Sequence, residues 1–326
     1  MSNKMNRREF MTVSAAAVAT GVVAGTLWGE EPTTLPLPGG EKTKPKMPQR
    51  LLGRTEVKVG LLGLGGVGFL TDWEDENQIA SLITETIDAG VNYFDTAHSY
   101  GENGKSERSL GLVMGTPRRK EVFLATKTAN RTYDGALAEV EESLKRLRTD
   151  YLDLIQVHGF GTNEQDDVAA IGKNDGVLPA LQKLRGEKVV RFIGITGHPN
   201  SPKLKEAIVT YDFDTLLCFV NPKAECRWVE AELLPIAQQK QMGVIAMKTF
   251  GGGKPAALIG EAEGKASAPL LLRYAFSQPI AVAVPAMANK EEFQQNLLVA
   301  QSFKPISDEE RQALITRMNP PAKESE

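Results

Sequence analysis

The chain has 326 residues, of which 41% are hydrophobic and 24% charged, and its formal net charge is -3. Such a composition is that of an ordinary globular protein, and a length of this order suits one large domain with an extension or two ordinary domains. The near-neutral charge offers no basic footprint for nucleic acid, and two cysteines with three histidines are too few and too scattered for an iron–sulfur cluster or a structural zinc site, so no metal is expected.

The N-terminus reads Asn6-Arg7-Arg8-Glu9-Phe10-Met11, followed by a small and apolar run from Val13 to Leu27. A basic region ahead of a modest apolar segment is the layout of a signal peptide. The arginine pair followed by Glu-Phe resembles a twin-arginine export signal, which implies the twin-arginine translocase as a partner and a periplasmic location. Val22-Val23-Ala24 offers a small-residue cleavage site; uncleaved, the segment would tether the protein, although it is too short and too weakly apolar for a stable membrane span. Residues 1–29 are therefore read as signal peptide-like and residues 30–48, rich in Pro, Gly, Thr and Lys, as a linker. Residues 49–326 remain as the folded unit.

From Met47 onward short apolar runs alternate with longer helical patterns. Arg50 to Val59 has the look of a hairpin, and Gly60 to Gly65 that of a first buried strand. Further runs follow at Val91–Asp95, Val122–Lys127, Leu154–His158, Phe192–Thr196, Thr215–Val220, Val244–Lys248 and Ile280–Val284. Amphipathic segments lie between them, at Ile79–Ala89, Leu137–Leu147, Val177–Lys183, Lys203–Val209, Leu233–Gln239 and Ala268–Phe276. Buried strands each followed by a helix imply a parallel sheet, and eight such strands close as a (β/α)₈ TIM barrel, with their last residues delivered to one shared rim. Cys218, inside one of these runs, reads as a buried strand thiol.

A rival reading starts from Gly63-Leu64-Gly65-Gly66-Val67-Gly68, which satisfies the G-x-G-x-x-G dinucleotide fingerprint. That fingerprint needs a helix opening at the third glycine and an acid about 20 residues on. Here the helical period starts near Asp75, and the next strand-ending acid, Asp95, comes too late. These glycines are read instead as a strand-to-loop bend under a ligand.

Function is expected at the strand ends. Val91 to Phe94 closes in Asp95, with Tyr100 on the Gly- and Asn-punctuated loop beyond; Lys127 closes Val-Phe-Leu-Ala-Thr-Lys, and His158 closes Leu-Ile-Gln-Val-His. Alone, each has an ordinary explanation: a helix cap, a packed ring, a solvated amine, a satisfied core imidazole. Jointly, with Phe94-Asp95-Thr96-Ala97-x-x-Tyr100-Gly101 and Ser106-Glu107, they resemble the aldo-keto reductase superfamily over about Met47 to Asn296.

The resemblance implies an NAD(P)(H)-dependent oxidoreductase that interconverts a carbonyl and an alcohol by direct hydride transfer. Asp95, Tyr100, Lys127 and His158 fall where the family has its catalytic tetrad, with Tyr100 as general acid and base. A free tyrosine titrates near 10, so acid–base work near neutral pH asks for about 3 to 4 kcal/mol of phenolate stabilisation. One ammonium about 4 Å away at an effective dielectric of 20 supplies about 4 kcal/mol, so Lys127 suffices in magnitude. Asp95 serves as its counter-charge, and His158 as a hydrogen-bond donor to the substrate oxygen. His98 and His198 are further residues near the expected mouth.

The same resemblance places the cofactor, NADP or NAD, across the rim. Thr196 and Asn221 fall at the nicotinamide end, and Gly65 is a cofactor contact in the glycine bend. Lys248 with Gly251, Gly252 and Gly253 falls in the loop after the seventh strand, and Asn289, Glu292 and Asn296 follow the eighth. NADPH-using members commonly have Arg or Lys where Ala288 stands and Gln where Glu292 stands; Lys290 is a compensating candidate. Val220 and Leu217 also replace the usual tyrosine and glutamine beside the nicotinamide. Both nucleotides stay open, with a lean away from strict NADPH use. Two alternatives accompany this reading: a regulatory barrel that holds nucleotide without turnover, and a sugar or polyol dehydrogenase with a tightly held nucleotide.

Overall fold

A computed structural model describes residues 46–252 and 256–321. The signal-like segment, nearly all of the linker, Gly253 and the last residues of the polar tail lie outside the described residues. Among those described, no helix is long and apolar enough to cross a membrane.

The described residues begin with an antiparallel hairpin of β1 (Gln49–Leu51) and β2 (Lys58–Gly60), paired Arg50 to Val59, where the sequence suggests one. Seven parallel strands follow in sequential order: β3 (Tyr93–Asp95), β4 (Phe123–Thr128), β5 (Leu152–Val157), β6 (Val190–Thr196), β7 (Thr215–Phe219), β8 (Gly243–Met247) and β9 (Val282–Ala283). The helices are α1 (Phe69–Asp72), α2 (Glu76–Asp88), α3 (Lys105–Met114), α4 (Tyr133–Leu147), α5 (Val168–Ile171), α6 (Val177–Gly186), α7 (Pro202–Thr210), α8 (Ala224–Trp228), α9 (Leu234–Gln239), α10 (Ala268–Phe276), α11 (Lys290–Gln301) and α12 (Asp308–Met318). A π-turn, Val229–Leu233, joins α8 to α9. This is the (β/α)₈ barrel.

The expected first strand, Gly60 to Gly65, is not a continuous strand. Gly60 belongs to the hairpin, and the segment beyond it closes the barrel through single bridges, Leu62 to Ala283 on one side and Leu64 to Phe94 on the other. The Gly63 amide donates to the Ala283 carbonyl and the Leu64 amide to the Tyr93 carbonyl, each at 2.9 Å. Glycine explains both the closure and the broken strand. Helix α1 opens directly after Gly68, nearer to the dinucleotide fingerprint than the expected start at Asp75, which instead caps α2 by accepting from Asn77 and Gln78 N–H. Gly68 has φ 96 and faces the Met287 carbonyl, where an added Cβ would lie 2.0 Å from the oxygen. The glycine run is thus needed for backbone to meet backbone between barrel staves.

Strand alternation sorts the core into two layers. Tyr93, Phe123, Ala125, Leu154, Leu217, Ile245 and Val282 form an interior cluster with Leu52 and Val59 of the hairpin region, while Phe94, Leu124, Ile155, Leu216 and Ala246 pack outward against the helices. The hairpin therefore plugs the N-terminal mouth. Arg50 fixes it by donating to the Phe276, Gln278 and Ile280 carbonyls, and Arg54 by pairing with Asp212 and Asp214. By the same alternation Asp95, Lys127, Gln156 and His158 take inward positions, above the apolar layer.

Helix α4 begins at Tyr133, four residues before the apolar pattern suggests, because the Thr132 hydroxyl accepts from Gly135 N–H and caps it. Gly68→Ala is expected to lower stability by about 2 to 4 kcal/mol, through left-handed strain and overlap with the Met287 carbonyl. Urea unfolding with an unchanged m-value measures it.

Candidate active site

Lys127 lies near the end of β4 with no exposed side-chain surface, and its Nζ donates to Asp95 Oδ2 at 2.5 Å and to the Thr96 carbonyl at 2.7 Å. The same Nζ stands 4.6 Å from the centre of the Tyr100 ring. Burial pulls the ammonium down, but the Asp95 charge and the charge and hydrogen bond of Tyr100 outweigh it and hold Lys127 above its ordinary range. Lys127 is therefore a cation throughout the neutral range. Asp95 is pushed up by burial and pulled back by Lys127 and by Gln156, whose Nε2 donates to Asp95 Oδ1 at 3.1 Å.

His158 immediately follows β5, and its ring meets Tyr100 edge-on with centroids 5.6 Å apart. Burial, reinforced by the charges of Lys127 and Arg131, lowers it to about 3. It is a neutral imidazole in any working buffer, able to donate one hydrogen bond without carrying charge. The structure thus brings Asp95, Tyr100, Lys127 and His158 together.

The Tyr100 loop is fixed from outside as well. Thr96 Oγ1 and Ser106 Oγ share a hydrogen bond of 2.7 Å, and Arg146 on α4 donates to the His98 carbonyl while pairing with the fully buried Glu107. Gly66 presses against this loop, since a Cβ there would lie 2.8 Å from the Tyr100 ring. His98 pairs with Glu142 at 2.9 Å on the helix side.

The other predicted contacts hold the rim together by their own hydrogen bonds. Thr196 Oγ1 accepts from Gly159 N–H at 2.8 Å, and Asn221 Nδ2 donates to the Lys248 carbonyl at 2.9 Å. Asn289 caps α11 by accepting from Glu292 N–H, while the Glu292 carboxylate accepts from Ala288 N–H. Lys290 pairs with Glu85 at 2.7 Å, and Asn296 is buried. Gly65 lies against the Pro285 carbonyl, 2.8 Å from where its Cβ would be. His198 stacks obliquely on Phe219 with centroids 4.7 Å apart.

After β8, Lys248 has φ 56, Gly251 φ 81 and Gly252 φ 75, and between them the buried Thr249 hydroxyl has no partner. A loop of this kind, with an unmet hydroxyl and a lysine folded over Gly252, suits a phosphate-bearing ligand. Helix α12 ties this loop to the one after β7. Asn319 accepts from Ala224 N–H and donates to the Pro222 carbonyl, and Arg317 donates to the Glu261 and Lys265 carbonyls. Among the described residues no His, Cys, Asp or Glu group is arranged to hold a metal. Cys218 is buried in β7, and burial raises its thiol. A groove of about 800 Å³ lined by Arg119, Lys120, Leu144 and Tyr151 lies at the N-terminal ends of β4 and β5, away from these residues.

Sequence reasoning does not single out Gln156 or Arg146. The available signal for Gln156 is a lone amide in an otherwise apolar strand; Arg146 reads as an ordinary helix-surface charge.

This barrel, with an ion pair and a phenol at its C-terminal rim, belongs to a class already recognised. A model of the aldo/keto reductase family matches residues 61–258. The chain therefore belongs to the aldo/keto reductase family, a family of nicotinamide-dependent oxidoreductases. It is 33% identical over 216 residues to the uncharacterized oxidoreductase YqkF of Bacillus subtilis, covering 61% of this chain and 64% of that protein. It is 29% identical over 221 residues to the L-galactose dehydrogenase of Arabidopsis thaliana, covering 64% and 67%. Among solved structures, an aldo/keto reductase from Klebsiella pneumoniae in complex with NADP and acetate superimposes with a TM-score of 0.65 at 25% identity, covering 84% of this chain and 97% of that one. The holo form of AKR11C1 from Bacillus halodurans gives 0.68 at 24% identity, with 82% and 95% covered.

Lys127→Met leaves Asp95 buried without its cation and is expected to destabilise by about 3 to 5 kcal/mol at pH 8. The loss shrinks on acidification, because a carboxyl pushed up by burial takes a proton and no longer needs a partner. Denaturant unfolding at pH 8 and pH 5 measures both.

Proposed function

We propose that this chain interconverts a small carbonyl compound and its alcohol, with Tyr100 as the group that moves the proton. The observation that carries the reading is the juxtaposition of a buried ammonium, the phenol beside it and a neutral imidazole edge-on to the same ring. Family membership and the printed activities of relatives such as L-galactose dehydrogenase support the reaction class.

The residues divide the task by charge. Lys127, kept protonated by Asp95, places a positive charge beside the phenol oxygen and so stabilises the phenolate left when the proton goes to the carbonyl oxygen. His158, neutral, donates a hydrogen bond to that oxygen and orients the carbonyl. In the reverse direction Tyr100 takes the alcohol proton. A nicotinamide nucleotide, when bound, supplies or accepts the hydride. Lys248, Thr249, Gly251 and Gly252 would hold its phosphates, and Thr196 and Asn221 would border its nicotinamide end.

Ala288 and Glu292 at the start of α11 put no charge and an acid where NADPH-using members commonly have a cation and a glutamine, and Lys290 is engaged by Glu85. Both support use of NAD(H) alongside NADP(H). Tyr100→Phe is expected to lower kcat by about 10²- to 10⁴-fold, the usual contribution of a general acid, with nucleotide affinity unchanged for NADH and NADPH. With His158 lowered to about 3, the wild-type rate profile is expected to show no limb from His158 between pH 5 and pH 8. Steady-state kinetics on a carbonyl panel and a nucleotide titration test both statements, and full activity of the phenylalanine variant would end the proposal.

The working compartment is a second part of the proposal: export by the twin-arginine route to the periplasm, supported by Arg7-Arg8-Glu9-Phe10 and the apolar run behind it. Replacing Arg7 and Arg8 together by Lys is expected to retain the protein in the cytoplasmic fraction. Unaltered fractionation of that variant rules the route out.

A further inference from the structure

We propose that Gln156 is a positioning residue of the reaction, whose side-chain amide holds the second oxygen of Asp95 and so keeps that carboxylate turned toward Lys127. The inference rests on the Tyr100 reading above and extends it by one shell of residues.

Gln156 and Lys127 are register partners on adjacent strands, and both take inward positions. The carboxylate of Asp95 is divided between them: Oδ2 accepts from Lys127 and Oδ1 from Gln156 at 3.1 Å. Gln156 is fully buried. The next strand makes room for it, since Gly194 is its register partner on β6 and a Cβ there would come within 3.2 Å of Gln156 Cγ and 2.2 Å of Thr215 Oγ1.

Only one end of this amide is matched. Gln156 Oε1 is buried without a partner, as is Thr215 Oγ1. An unmet acceptor in a buried site costs stability. What the amide adds is its paired half, an N–H dipole aimed at a carboxylate.

That dipole favours the charged form of Asp95. The charged and titratable groups around Asp95 are Lys127 from β4, His158 from β5, and Tyr93 and Tyr100 from its own strand and loop. Without the amide, burial is opposed by Lys127 alone. Asp95 then gains a proton at higher pH, Lys127 loses the anion that anchors it, and its ammonium is no longer held in place beside Tyr100. The acid side of the rate profile moves upward.

The test compares rate–pH profiles of the wild type with those of Gln156→Met and Gln156→Glu, each confirmed as folded by thermal unfolding. Gln156→Met is expected to lower kcat about 10- to 100-fold with little change in KM, the range of one hydrogen bond to a charged group. Its acid limb is expected to rise by about one pH unit. Gln156→Glu recovers rate only on the acid side, where its carboxyl is protonated and donates. In an Asp95→Asn background, Gln156→Met is expected to change kcat less than about twofold, because the charge it acts on is gone. Full additivity there, or an unshifted limb in both single variants, would overturn the role of Gln156. If that happens while Tyr100→Phe stays inactive, the Tyr100 reading stands; if Tyr100→Phe is active, the underlying reading fails instead.

Discussion

A primary ammonium enclosed in the rim of the barrel sets the terms for everything around it. An uncompensated buried ion is worth several kcal/mol of penalty, and Lys127 meets that demand with one carboxylate oxygen, one backbone carbonyl and one phenol, all from β3 and the loop that leaves it. Tyr100 is therefore held where it is partly by the cation it faces. From the helix side the same loop is secured by Ser106 and by Arg146, whose guanidinium is matched by buried Glu107. Hydrogen bonds on two sides leave that loop little freedom.

The remainder of the rim is assembled differently. Beyond β6 the polar groups are engaged with backbone, as with Asn221 on the Lys248 carbonyl and Asn289 and Glu292 at the start of α11. Helix α12 then links the loops after β7 and β8 through Asn319 and Arg317. The half around Lys127 is built on buried charge; the half after β8 is built on loop shape, with the Thr249 hydroxyl left unmatched.

How much of this the sequence disclosed follows from the same division. Asp95, Lys127 and His158 each close an apolar run, so one sequence is enough to mark them, and strand order then brings them together. The first stave was obscured because Gly63 to Gly68 satisfies two patterns at once, and only the nearness of Ala283, Phe94 and Met287 decides between them. Gln156 was hidden for the opposite reason: a single amide inside Leu-Ile-Gln-Val-His alters no periodicity. The internal engagement of Asn289 and Glu292 is a matter of cap geometry, which residue types permit without requiring. Helix α4 began early through Thr132 for the same reason.

The two-layer sorting of the strands also bears on how such chains can change over time. Lys127 and the apolar residues beneath it, Ala125 and Phe123, share one face of β4, while Leu124 and Thr126 point to the helices. Losing or gaining a single codon between Phe123 and Lys127 would exchange those faces, turning the amine toward Glu107 and a threonine toward Asp95. A change of length is therefore tolerable only in the connections between staves, and a strand interior can change only by replacement.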